Sequence, residues 1–157
     1  MTRQEKYPET KTFHFFNANP KNRITGDCRI RAISTATDIP YNAVVLALAL
    51  IQIETGYDQT ANQGIDILMK KIGWKKMPQP RKKNGTKYTG KEFCKIQQRY
   101  LFDEDTHGKA WDDGIIVSPR IFCNIGGHHE VAIVDGKVYD IWDSTDGCIG
   151  NYWVKET

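Results

Sequence analysis

The stretch His128-His129-Glu130-Val131-Ala132-Ile133-Val134-Asp135-Gly136-Lys137-Val138-Tyr139-Asp140-Ile141-Trp142-Asp143 decides the fold. Two apolar runs flank Asp135-Gly136, a dipeptide suited to a two-residue hairpin turn because both turn residues adopt positive φ. A tight turn there sets Val134 opposite Lys137, Val131 opposite Asp140, His129 opposite Trp142 and His128 opposite Asp143. Each histidine then has a carboxylate on its own face: Asp140 diagonally from His129, and Asp143 across from His128. Adjacent strand residues point to opposite faces, so one histidine of the pair serves a given cleft. Asp140 interrupts the apolar run 138–142, where an unpaired carboxylate is costly to bury. That favours a partner for Asp140, with Asp143 as the alternative.

Working outward, period-two patterns predict further strands over 114–118, 121–124 and 149–154. The half before residue 105 has a different period. A first helix is expected over 28–37, opened by Thr25-Gly26-Asp27 and broken at Asp38-Ile39-Pro40. An apolar helix over 41–55, ended by Gly56, is expected to be the buried spine. Further helices are predicted over 63–72 and from Thr89 through Tyr100, and a strand or apolar arm over 11–17. Helices first and sheet second predict an α+β class, N-terminal helices packed on a C-terminal antiparallel sheet.

The chain has 157 residues, a length that suits one domain over 1–157. Its 39% hydrophobic and 26% charged content reads as globular. Residues 1–12 lack the apolar core of an export signal, and the longest apolar run is too short to cross a bilayer. The four cysteines (Cys28, Cys94, Cys123 and Cys148) form no C-x-x-C pair. Reduced thiols, a cytoplasmic setting, no membrane, no cofactor and no metal site are the expectations.

Cys28 stands where the first helix begins. Helix N-terminal N–H groups and a nearby imidazolium both favour a thiolate. Thiol, histidine and carboxylate together are the parts of a cysteine nucleophile site. Asp27 beside the thiol is read as a cap pointing away from it. Asn19 and Asn22, just upstream, can donate side-chain N–H groups to an oxyanion beside the backbone N–H of Cys28.

This combination resembles the papain-like cysteine peptidases, and in particular small papain-like proteins of bacteria and their phages. The resemblance rests on Asn19-Pro20-Lys21, on Thr25-Gly26-Asp27-Cys28-Arg29-Ile30-Arg31-Ala32, and on Gly127-His128-His129 through Tyr139-Asp140-Ile141-Trp142-Asp143. It implies a papain-like fold and a hydrolase or thiol protease acting on a peptide or protein. It selects His129 over His128, and places Asn22 where such enzymes carry an oxyanion glutamine. The C-[GS]-[SA]-C-W signature of the larger enzymes is absent, and the likeness is weakest in the middle of the chain.

That middle is basic: Lys70, Lys71, Lys75, Lys76, Arg81, Lys82, Lys83, Lys87 and Lys91, with no acid among them. Pro78, Pro80, Asn84 and Gly85 make a loop or insertion of about residues 73–91. A solvated loop is the plain reading. With Trp74 and Tyr88 it could also contact nucleic acid, and an acidic protein or peptide is a further candidate partner. The alternative is therefore a catalytically weak or inactive papain-fold binding protein that uses 70–91 to contact an acidic partner or nucleic acid.

Overall fold

The computed structural model describes residues 1–105 and 115–156. The chain is α+β. Its helices are α1 (Arg3–Lys6), α2 (Cys28–Thr37), α3 (Tyr41–Thr55), α4 (Asn62–Lys71) and α5 (Gly90–Phe102). Its strands are β1 (Phe13–Phe15), β2 (Trp74–Met77), β3 (Arg120–Ile125), β4 (His129–Val134), β5 (Lys137–Asp140) and β6 (Ile149–Lys155). One sheet runs in the order β1-β5-β4-β3-β6-β2.

The β4–β5 hairpin has the register that the Asp135-Gly136 turn dictates, with Val134 opposite Lys137 and Ala132 opposite Tyr139. Both turn residues have positive φ, 51° at Asp135 and 86° at Gly136. The sheet is mixed, which corrects the expectation of a purely antiparallel, C-terminal one. β1 lies parallel to β5, and β2 joins the far edge beside β6. Both come from the N-terminal half, and β2 falls inside the basic span read as a loop. Residues 115–118 are not a strand, and Gly114 lies outside the described residues.

Period-two alternation divides the core between the two faces of the sheet. Ile121, Cys123, Ile133 and Val138 pack with Phe93, Cys94 and Ile96 of α5. Phe122, Ala132, Val134 and Trp153 pack with Ile30 and Ile33 of α2, Leu48 of α3 and Met69 of α4. The helices thus cover both faces. A register shift between β3 and β6 near Cys123 and Ile125 lets Ile149 and Tyr152 join the same side, a β-bulge.

α3 corrects another expectation. It buries Val44, Leu48 and Ile51, but Leu46, Leu50 and Ile53 are 71%, 51% and 81% exposed. α2 is the helix laid along β4, β3 and β5, and five of its ten residues are buried. Composition alone makes α3 look central. Position gives that role to α2, whose N-terminus reaches the ends of β4 and β5.

Candidate functional site

Cys28 is the first residue of α2 and is half-buried. Asp27 occupies the N-cap position, yet its side chain makes no capping bond. Its Oδ1 instead accepts from Arg31 Nε at 2.8 Å, one helical turn on. Asp27 Oδ2 accepts from Tyr41 Oη at 2.7 Å and Asn19 Nδ2 at 3.0 Å. The reading of Asp27 as a cap is therefore corrected: its charge is spent on Arg31, away from the thiol. The first N–H groups of α2 keep no side-chain cap, so the positive end of the helix faces the thiol uncovered.

His129 opens β4 beside the Cys28 thiol, close enough for each to shift the other's titration. Its Nε2 meets Asp140 Oδ2 at 2.5 Å. Nδ1 is then the ring nitrogen left for sulfur. Trp142 packs on the imidazole with ring centroids 4.9 Å apart. The structure so brings Cys28, His129 and Asp140 together in one row, in which His129 and Asp140 are hydrogen-bonded. Asp140 is 1% exposed, and its other oxygen accepts from Arg31 Nη1 at 2.6 Å and from the Ile141 N–H at 2.8 Å.

Electrostatics follow from these contacts. Burial pushes the Cys28 thiol up. Hydrogen bonds from His129 and from the Glu130 N–H, with the charges of His129 and Arg31, outweigh it and hold the thiol below its ordinary value. Burial likewise disfavours the imidazolium, but the bonds to Asp140 and Cys28 push His129 up to about 9. A lowered thiol beside a raised imidazole shifts the pair in the direction that favours thiolate and imidazolium. Cys94 and Cys123 are the contrast: burial pushes Cys94 up to about 12 and raises Cys123 well above its usual value.

Other candidates are placed elsewhere. His128 is exposed on the β3–β4 turn. Asp143 Oδ1 is taken by the N–H and hydroxyl of Thr145, at 3.0 and 2.6 Å, as a turn cap. Asn19 is committed to Asp27. Asn22 lies exposed with φ of 54° and accepts from Asn17 Nδ2 at 3.3 Å. Neither asparagine hydrogen-bonds to Cys28, and the backbone N–H groups at the start of α2 carry no side-chain cap.

Arg31 is the residue that sequence reasoning missed. It is buried, and it bridges Asp27 and Asp140, two carboxylates 113 residues apart in the chain. Its i,i+4 spacing from Asp27 was the available signal.

Two clefts flank the row. One, of about 420 Å³, is lined by Arg29, Asp66, Lys76, Phe122, Glu130 and Trp153 among others. Its charges are internally paired: Arg29 with Glu130 at 3.3 Å and Lys76 with Asp66 at 3.2 Å. The second, also about 420 Å³, is lined by His129, Trp142 and the 143–147 turn. The Gly126-Gly127-His128 turn lies between them, with both glycines at positive φ.

Within the basic span, Lys76, Lys82 and Lys91 are paired with Asp66, Glu92 and Asp146. Lys70, Lys71, Lys75, Lys83 and Lys87 are exposed and have no ion-pair partner among the described residues. Trp74 and Tyr88 are buried in the core, which removes the base-stacking aromatics from a nucleic-acid reading. Among the described residues no metal-ligating group of three side chains occurs, and no single helix is long and apolar enough to cross a membrane. Comparison with protein-family models, curated proteins and solved structures gave no match.

Proposed function

We propose that this chain is a papain-like cysteine hydrolase that cleaves an amide through a thioester on Cys28. The observation that carries the reading is the row Cys28–His129–Asp140, its histidine and carboxylate hydrogen-bonded, with the thiol lowered and the imidazole raised. The Cys28 thiolate attacks the carbonyl carbon. The tetrahedral oxyanion is met by uncapped N–H groups of the first turn of α2. His129 gives its proton to the departing nitrogen as the C–N bond breaks, leaving an acyl-thioester and a free amine. Water then attacks the thioester; His129 takes its proton and Cys28 leaves as thiolate. Asp140, held by Arg31, fixes the ring orientation and stabilises the imidazolium.

The test is the pH dependence of iodoacetamide labelling, with the label located by mass spectrometry. Selective labelling of Cys28 with an apparent pKa below the free-thiol value of about 8.5, lost in His129→Ala, is expected. Slow labelling shared among the four cysteines would sink the proposal. A second reading is a binding protein on the same frame. It is favoured by the five unpaired lysines of 70–91, which suit an acidic partner, and it predicts binding that is indifferent to Cys28→Ala.

A further inference from the structure

Asp27 is a buried carboxylate next to Cys28 that does not cap α2. Arg31 Nε donates to its Oδ1 at 2.8 Å, and Tyr41 Oη and Asn19 Nδ2 donate to its Oδ2 at 2.7 and 3.0 Å. Burial pushes the carboxyl up, but these bonds outweigh it and hold Asp27 below its ordinary value, ionised. The guanidinium that meets Asp27 through Nε meets Asp140 through another nitrogen, Nη1, on Oδ1 at 2.6 Å. Asp140 Oδ2 is left for His129 Nε2. An unpinned guanidinium offers two parallel N–H groups to one carboxylate and takes both of its oxygens. Here the contact to Asp27 turns the fork so that it engages Asp140 at Oδ1.

One cation so serves two anions. The share of Arg31 that Asp27 takes is negative charge that Asp140 keeps for the imidazole. We propose that Asp27 is a positioning residue: held by Tyr41 and Asn19, it turns Arg31 away from Asp140 Oδ2 and sets how much of the Asp140 charge reaches His129. The other titratable groups about His129 are Cys28 on α2, Glu130 beside it on β4, and His128, Asp143 and Asp146 around the neighbouring cleft. Asp27 and Arg31 differ from these in acting through Asp140. The purpose rests on the hydrolase reading. An imidazole that holds its proton too weakly leaves the thiolate unpaired, and one that holds it too tightly withholds it from the departing nitrogen. The effect on His129 rests on the contacts alone.

The His129 ring is titrated by NMR in the whole protein, its Hε1 signal assigned with His129→Gln. Asp27→Asn is expected to weaken proton binding at His129 about threefold or more, because Arg31 then turns its full charge on Asp140. Arg31→Gln should strengthen it about tenfold. Tyr41→Phe should strengthen it about twofold, since Asp27 stripped of a donor pulls harder on Arg31. In the Arg31→Gln background, Asp27→Asn should lose most of its effect. Should Arg31→Gln fail to fold, the opposite signs of Asp27→Asn and Tyr41→Phe decide alone. Changes of one sign, as a merely structural role gives, or an Asp27→Asn effect undiminished without Arg31, overturn the assignment. Separately, p-nitrophenyl acetate should give a burst of one p-nitrophenol per Cys28. A burst without opposed changes at His129 refutes the positioning role and keeps the hydrolase. Opposed changes without a burst keep the positioning of the ring and sink the hydrolase.

Discussion

Arg31→Gln is the substitution with the largest expected consequence. The guanidinium is 5% exposed and holds Asp27 at 2.8 Å and Asp140 at 2.6 Å. Its removal strands two carboxylates where water cannot reach them freely. Deleting one member of such a buried group costs about 3–5 kcal/mol. A domain of this size has on the order of 5–15 kcal/mol to lose. Urea unfolding followed by tryptophan fluorescence should show the midpoint falling by about 2 M, taking a slope of about 2 kcal/mol/M. Adding Asp27→Asn removes one of the stranded charges. The double variant should therefore be less destabilised than the sum of the singles, by about 0.5–3 kcal/mol. Charge loss also withdraws a cation that helps depress Cys28, so the labelling pKa of Cys28 should rise in Arg31→Gln. A loss below about 1 kcal/mol, or strict additivity with Asp27→Asn, would show that the bridge is not what holds the two carboxylates.

Four further outcomes follow from the same geometry. The folded His129 is raised to about 9 from 6.5, so the stability it contributes is complete below 6.5 and is lost as pH rises through about 9; thermal unfolding in that window should show a downward slope that His129→Gln flattens. Gly90→Ala should lower Tm, because a Cβ there meets Ile125 Cδ1 at 2.8 Å and the Thr145 backbone at 3.0 Å, an overpacking worth about 1–3 kcal/mol. Leu48→Ala should cost about 2–5 kcal/mol in urea unfolding while Ile53→Gln on the same helix stays within about 0.5 kcal/mol, the opposite ranking being incompatible with the exposed face of α3. Native protein treated with a large thiol reagent at pH 7 should leave Cys94 and Cys123 unmodified until denaturant is added, since both are buried and their thiols raised.

The hairpin was legible because its information is local. Asp135-Gly136 sets the turn, the turn sets the register, and the register puts His129 near Asp140. The start of α2 at Cys28 was equally local, written in a polar turn ahead of an apolar period. What sequence did not carry is long-range. β1 finds β5 across about 125 residues, and its three residues hold no mark of parallel pairing. β2 reads Trp-Lys-Lys-Met, too polar to announce a strand, and exists because the edge of β6 accepts it. α3 was misjudged because composition measures how apolar a helix is and says nothing about how many faces have neighbours. Arg31 looked like an ordinary helix charge. Its role appears when Asp140, far along the chain, arrives beside it. The capping preference of Asp27 lost for the same reason: a buried guanidinium one turn away outbids a backbone N–H.

The division of the row between the two halves of the chain has a consequence for synthesis. Cys28 is translated about a hundred residues before His129 and Asp140. Until those strands leave the ribosome, the sulfur lacks the imidazole that lowers it, Arg31 lacks Asp140, and the thiol remains ordinary and mostly protonated. β2 waits longer still, because its neighbour in the sheet is β6. On the proposed hydrolase reading, the nascent chain is thus chemically quiet while it is unfolded and most easily attacked, and its thiol is activated by the same strand pairing that completes the sheet.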